Sequence, residues 1–170
     1  MTVTYDKIAT NTVSGTGTTS VTFSSIPSTY TDLILICNTG IISGTANLGI
    51  RVGNGSVDTG SNYSITYLTG NGTSASSTRL SSQTIFEITY VGGMDSTLNS
   101  NQIIQFNNYS NTTTNKTLLA RNGRASLGVD AAVGLWRSTA AINIITCTVQ
   151  VPASNWLAGS TFTLYGIKSE

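Results

Sequence analysis

The side chains that usually perform acid–base chemistry are sparse in this sequence. Histidine is absent, which removes the most frequent general base and every Ser-His triad. Seven carboxylates are scattered singly along the chain: Asp6, Asp32, Asp58, Glu87, Asp95, Asp130 and Glu170. A glycosidase-type pair could still converge in space, but isolated carboxylates are typical of turn residues, and Asp32 before an apolar run is interpreted as one. We therefore predict that the protein is not an enzyme and has no catalytic residues.

Metal and cofactor sites also lack their usual patterns. Cys37 and Cys147 lie far apart with no histidine to complete a zinc site, and no Asp-x-Asp-x-Asp spacing indicates calcium. The segments 15–17 and 70–72 have a Gly-x-Gly pattern, but no lysine follows either one as a phosphate loop requires. We predict no metal and no cofactor. Each cysteine lies within an apolar run, so both are interpreted as buried, reduced thiols, with a disulfide as the open alternative.

The two tryptophans allow two interpretations. Trp136 and Trp156 each lie beside Gly, Ser or Ala in a loop-like context. They could form a sugar-stacking platform on a receptor-binding head, or they could anchor loops over the open ends of a β-sandwich. The sequence favours the anchors, because no cluster of Asp, Asn and Arg accompanies either tryptophan.

The charge pattern indicates which partners to expect. Only 9% of the residues are charged and the net charge is +1, against about 25% charged residues in an ordinary soluble domain. The basic residues form no run, so we predict no nucleic-acid binding. The first residues resemble no signal peptide, and no apolar stretch approaches the ~20 residues of a membrane helix, so we predict no membrane association. A nearly neutral surface suits a protein that packs beside copies of itself.

Short apolar runs of period two dominate the chain and are separated by Gly, Asn, Ser and Thr. They predict one all-β domain over residues 1–170, an antiparallel β-sandwich of jelly-roll type with about ten strands, and a possible N-terminal strand or arm at 1–12. The run Leu33–Cys37 is continuously apolar, so we expect both its faces to be covered, the second one by a loop or by a neighbouring subunit. The tracts Thr69–Thr78 and Tyr109–Lys116 are predicted to be long surface loops. The predicted strands centre on these residues: Val21 and Phe23, Leu33–Cys37, Leu48–Val52, Ile65 and Tyr67, Phe86–Tyr90, Ile104 and Phe106, Leu118–Ala120, Ile145–Val151, and Phe162 and Leu164.

Three stretches carry a family resemblance. The segments FSSIPSTYTDL (23–33), GLWRSTAAI (134–142) and AGSTFTLYGI (158–167) are similar to recurring phrases in virion structural proteins of bacteriophages, many of them aquatic. They cover the first third and the last fifth of the chain, and they are structural motifs that name no chemistry. The resemblance implies a particle protein of the capsid-decorating or tail-fibre kind.

Two particle roles compete, and the sequence favours the first. A capsid decoration (cement) protein would bind the major capsid protein as a homotrimer, stabilise the head shell and reside on the capsid surface of the virion after assembly in the host bacterial cytoplasm. The alternative is a tail-fibre or receptor-binding head of the adsorption apparatus. A fibre needs a particle anchor and usually a repetitive shaft, and the sequence shows no internal repeat. An enzymatic role such as a depolymerase is a distant third.

Overall fold

The computed structural model describes residues 4–91, 93–150 and 154–168. These residues form fourteen β-strands and no helix. Accordingly, nothing helical in this part of the chain has the length and apolarity of a membrane span. The strands are β1 (Tyr5–Thr12), β2 (Ser20–Phe23), β3 (Asp32–Thr39), β4 (Thr45–Asn54), β5 (Ser56–Val57), β6 (Tyr63–Gly70), β7 (Ala75–Gln83), β8 (Phe86–Glu87), β9 (Met94–Asp95), β10 (Ser100–Asn107), β11 (Lys116–Arg124), β12 (Gly128–Trp136), β13 (Ile144–Gln150) and β14 (Thr161–Ile167).

The strands pair into two antiparallel sheets. The large sheet has eight strands in the order β1-β14-β3-β10-β11-β12-β6-β7, and the small sheet has the order β2-β13-β4-β5, with β8 and β9 also paired to β4. In both sheets a late strand lies between two early ones: β14 between β1 and β3, and β13 between β2 and β4. The predicted all-β antiparallel sandwich is confirmed, and the jelly-roll connectivity stays a prediction.

Alternation along each strand places one set of side chains in the core. On β3 and β10 of the large sheet, Leu35 and Ile104 are fully buried, as are Ile50 and Ile145 on β4 and β13 of the small sheet. Strand β8 contributes Phe86, whose ring meets that of Tyr63 edge-on at 4.8 Å between centroids. Because neighbouring sheets pack about 10 Å apart, interdigitated Leu, Ile and aromatic side chains fill the space between them.

Two of the predicted segments differ from the structure, and the first of them contains the start of β7, a strand that was not predicted. The segment Thr69–Thr78 is not a long loop, because β6 continues to Gly70 and β7 begins at Ala75, which leaves a turn of four residues. β7 escaped prediction because it is an edge strand whose residues are mostly Ser and Thr. The predicted strand Phe86–Tyr90 shortens to Phe86–Glu87, and Tyr90 is 42% exposed.

The other predicted segments are largely as expected. Within residues 1–12, the part from Tyr5 to Thr12 is strand β1, paired to β14, and residues 1–3 lie outside the described chain. Residues 108–115 form a loop, although Tyr109 at its start is fully buried and Lys116 opens β11. Ile145–Val151 is strand β13 up to Gln150, and Val151 lies outside the described residues.

Candidate interaction surface

The outer faces of the two sheets differ in chemistry. The small sheet presents hydroxyls and charge, as a solvated sheet normally does: Thr22 and Thr146 share a hydrogen bond of 2.9 Å, and Arg51 lies beside Thr146 in register. The large sheet presents aliphatic side chains instead. Its exposed large residues on this side are Tyr5 (52%), Ile36 (41%), Leu68 (67%), Leu119 (49%), Val129 (60%) and Val133 (54%). We call this surface the outer apolar face.

Strand registers make the outer apolar face continuous. Leu119 of β11 lies opposite Val133 of β12, and Leu68 of β6 lies opposite Ala131 of β12. On the other side of β11, Ile103 and Ile36 form a matching pair between β10 and β3. Since directly opposed residues in an antiparallel pair point to the same side of the sheet, these side chains form one patch across five adjacent strands.

Shallow hollows lie on this face where side chains are small. One of them has a volume of about 690 Å³, and its lining includes Leu68, Val129, Ile103 and Ala131. Gly123 contributes no side chain there, and a Cβ added to it would lie 3.0 Å from the Val129 side chain. Aliphatic walls around such a depression suit an apolar or aromatic side chain of a partner.

Basic residues lie both within the apolar face and towards its border. Arg121 lies within the patch, opposite Ile103, and Arg79 and Lys7 lie towards the two edges of the sheet. Asn38 donates to Asn101 over 2.6 Å along one end of the strands. The face therefore combines an apolar centre with a polar, mildly positive border.

The sequence indicated this face only at one point. The run Leu33–Cys37 was expected to be covered on both sides; Leu33 and Leu35 are buried in the core, but Ile36 is 41% exposed. On the outward side of this run Ile34 is buried within the single chain and Ile36 is not, so the covering of Ile36 by a neighbouring subunit stays a prediction. The sequence analysis did not predict that Leu and Val residues of β11 and β12 point outward. Their alternation with inward-pointing residues is the pattern that indicates it.

Each carboxylate in the described part of the chain has a hydrogen-bond or ion-pair partner, as expected of residues that cap turns. Asp32 accepts from the Asn108 backbone N–H at 2.7 Å, and Asp6 pairs with Lys168 at 3.2 Å. Glu87 accepts from Asn47, and Asp130, which is 2% exposed, accepts from the backbone N–H groups of Tyr90 and Val91. Glu170 lies outside the described residues.

Three hydrogen-bond donors surround the Asp58 carboxylate. Its side chain accepts from the Trp136 indole at 2.7 Å, from the Asn62 amide at 2.8 Å and from the Gly60 backbone at 2.7 Å. Burial alone would raise the pKa of Asp58, but these three hydrogen bonds outweigh burial and hold the pKa below its usual value. The Asp58 carbonyl also accepts from the hydroxyl of Tyr63, whose pKa burial raises to about 12.

Both tryptophans are buried, at 3% exposure for Trp136 and 0% for Trp156. Trp136 ends strand β12 rather than lying in a loop, and Trp156 forms an isolated bridge with Ile41 and meets Phe162 edge-on at 5.0 Å. A buried indole ring cannot stack on a sugar, so the geometry agrees with the interpretation as anchors.

The two cysteines are free and buried, as predicted. Cys37 belongs to the large sheet and Cys147 to the small sheet, so the pair spans the core. Burial raises the pKa of the Cys37 thiol well above its usual value, and its hydrogen bond with Cys147 adds to this. Thiols in this environment are poor nucleophiles.

A buried ion pair that the sequence did not indicate closes one end of the core. Arg124, 6% exposed, lies against the carboxylate of Asp95, whose pKa is lowered by hydrogen bonds from Leu98 and Thr97 and by the arginine charge. Nearby, Gln102 is fully buried and accepts from Thr39 at 3.1 Å. Arg124 leaves its Nε without a hydrogen-bond partner in the described part of the chain.

Across residues 4–91, 93–150 and 154–168, no group of three or more Cys, Asp or Glu side chains could hold a metal ion. The feature of the described chain that is organised for interaction is thus the outer apolar face. Comparison with known proteins gives no match to this chain among family models, curated proteins or solved structures.

Proposed function

We propose that this protein is a structural component of a bacteriophage virion, a decoration (cement) protein that works as a homotrimer bound to the major capsid protein. The observation that carries the proposal is the outer apolar face. Monomeric soluble proteins seldom expose contiguous apolar patches beyond a few hundred Å² unless the patch binds something. A protein that functions only when packed into a larger assembly has a use for such a face.

The near-neutral surface supports the same role. With a net charge of +1, neighbouring copies repel each other weakly, so they can lie side by side at the density of a shell lattice. The resemblance of segments 23–33, 134–142 and 158–167 to phage virion proteins agrees with this setting.

Ordered polar loops are suited to bind the capsid shell through hydrogen bonds. The Asn71 side-chain oxygen accepts from the backbone N–H groups of Thr73 and Ser74 at 3.0 and 2.8 Å, and Asn111 holds Thr113 and Thr114 in the same way. Such Asx turns hold a loop in one conformation, so less entropy is lost when it binds. Many polar contacts of about 0.5–1.5 kcal/mol each, repeated over several copies, would add up to firm attachment.

The test is the copy number in purified particles of a phage that encodes this chain, measured by quantitative mass spectrometry against the major capsid protein. Decoration requires a copy number that scales with the capsid lattice, on the order of hundreds. A handful of copies per particle would instead identify the alternative, a tail-fibre or receptor-binding component. Absence from purified particles would refute both roles.

Deleting the gene separates the same two roles by phenotype. Loss of a cement protein is expected to lower the temperature at which heads release DNA while leaving adsorption intact. Heads that withstand heat as well as wild type but fail to adsorb to cells would contradict the cement role.

A further inference from the structure

We propose that the outer apolar face of the large sheet binds a second copy of this chain, so that the face is the self-association surface of the protein. This inference rests on the proposed function at one point: the number of copies, three, is taken from it. The identity of the occupant follows from the area, composition and shape of the face.

The area matches what a stable interface needs. Eight strands spaced about 4.8 Å apart, with about 3.3 Å per residue along strands of seven to nine residues, give a sheet face of roughly 900 Å². A standard protein–protein interface buries about 800 Å² on each partner. The whole face is therefore about as large as one side of such an interface.

The composition matches the anatomy of an interface. Aliphatic residues such as Leu68, Leu119 and Val133 occupy the centre, while hydroxyl and amide side chains occupy the border, including Thr10, which bonds to Thr163 at 3.2 Å. Interfaces between proteins have this arrangement of an apolar centre within a polar rim.

The shape indicates that the partner is another copy. Towards one side of the face, the 690 Å³ hollow spans β6, β12, β11 and β10 and includes Leu68 and Val129. The opposite half, on β1 and β14, carries Tyr5 and Tyr165, whose rings meet edge-on at 6.4 Å, with Tyr5 52% exposed. In a ring about a three-fold axis each contact joins two different patches, so the aromatic half of one copy would meet the hollow of the next. Such head-to-tail contacts close into a ring.

Polar groups on the face also suit self-association. Arg121 needs acceptors once it is covered, and the same face presents the side chains of Gln105 and Asp32, which already bond to each other at 3.2 Å. A second copy therefore brings acceptors for Arg121. Interfaces between copies that bury an arginine in this way are common, because arginine is enriched at interfaces.

The experiment compares two double variants with the wild type by sedimentation equilibrium. Leu68→Lys with Val129→Lys places two charges in the hollow beside Arg121, at positions 67% and 60% exposed, so the fold of a single copy should tolerate them. The matched control, Leu98→Lys with Leu127→Lys, makes the same chemical change at positions 50% and 41% exposed on loops outside the face. Far-UV circular dichroism and thermal melts check that each variant is folded.

We expect the wild type and the control to associate at micromolar concentration and the face variant to dissociate roughly 100-fold more readily. A wild type that stays monomeric at micromolar concentration would overturn the proposal, and so would dissociation of the control with retention of the face variant. A third outcome is a protein that stays monomeric but becomes protected from hydrogen exchange at Leu119 and Val133 when it binds capsid shells. In that case the shell protein, and not a second copy, binds the outer apolar face.

The two proposals fail separately in this design. A stable trimer that is absent from virions would refute the decoration role and leave the self-association surface in place. A dimer disrupted by the face variant would refute the three-fold arrangement while confirming that a second copy occupies the face.

Discussion

Replacing Asp58 with alanine should destabilise the fold. Asp58→Ala removes the acceptor for three donors, the Trp136 indole, the Asn62 amide and the Gly60 backbone, at distances of 2.7 to 2.8 Å. Since Trp136 is only 3% exposed, water cannot readily replace the carboxylate at the indole N–H.

The magnitude follows from these partners. A hydrogen bond to a charged group contributes about 1.5–3 kcal/mol, and a buried donor left unpaired costs about 1–3 kcal/mol. The donors of Gly60 and Asn62 can form hydrogen bonds with water instead, so the loss of their bonds costs only a fraction of these energies. The indole N–H of Trp136 cannot, so the full energy applies to it. Together these contributions lower the free energy of unfolding by about 3–4 kcal/mol. Asp58→Asn keeps one acceptor oxygen and should lose about 1–2 kcal/mol.

The assay is urea unfolding at pH 7 followed by tryptophan fluorescence, with a thermal melt beside it. For a chain of this length, 3–4 kcal/mol corresponds to a fall in Tm of about 10 °C. A double-mutant cycle of Asp58→Ala with Trp136→Phe isolates the indole bond and should give a coupling of about 1.5–3 kcal/mol. A melt of Asp58→Ala within about 2 °C of wild type would refute the reasoning.

Acid titration checks the same site independently. The pKa of Asp58 is lowered by folding, so the ionised carboxylate contributes stability that is complete above its unfolded pKa, near 3.8, and is lost as pH falls through the lower folded value. The free energy of unfolding of Asp58→Asn should therefore fall less steeply than that of wild type below pH 3.8. Equal slopes would show that Asp58 is not a titrating contributor.

Three further predictions concern the core, the thiols and metals. Gly134→Ala should lower the free energy of unfolding by about 1–3 kcal/mol through overpacking, because the added Cβ would lie 2.8 Å from Phe86 Cε1. Urea unfolding measures this loss. Gly70→Ala, whose added Cβ has its nearest contact at 3.9 Å, is the control and should leave the free energy of unfolding nearly unchanged. Cys37 and Cys147 should label slowly with a thiol reagent in the native state and both react once unfolded, and a lack of labelling after unfolding would reveal a disulfide. EDTA should leave the Tm unchanged, and a drop reversed by calcium would contradict the expectation of no metal.

Period-two alternation predicted the strands in which apolar residues point inward, but not the strands in which they do not. β13 was predicted because Ile145 and Cys147 alternate with threonines. β12 was missed because its inward residues Asp130, Ala132 and Gly134 are polar or small, so its identity as a strand depends on pairing with β11 and β6.

The outer apolar face could be predicted only in part for a related reason. A sequence shows that a run such as Leu33–Cys37 is apolar on both sides, but it does not show which side the second sheet covers. Arg124 illustrates the same limit: its burial depends on Asp95, a residue from a different strand that only the fold brings close. Contacts between distant segments of the chain determine both which side of a strand is covered and whether Arg124 is buried.

The position of the last two strands has a consequence for how the protein is made. Translation delivers the amino end first, yet β13 inserts between β2 and β4, and β14 inserts between β1 and β3. While it is still on the ribosome, the nascent chain therefore lacks the strands that join its early segments, and each of those segments presents open edges that are prone to aggregation. Folding should be completed only once β13 and β14 have left the ribosome, with the slow kinetics of non-local pairing. A chain truncated before Ile144 should accordingly show no cooperative unfolding transition, and a sharp melt of that fragment would disprove this order of events.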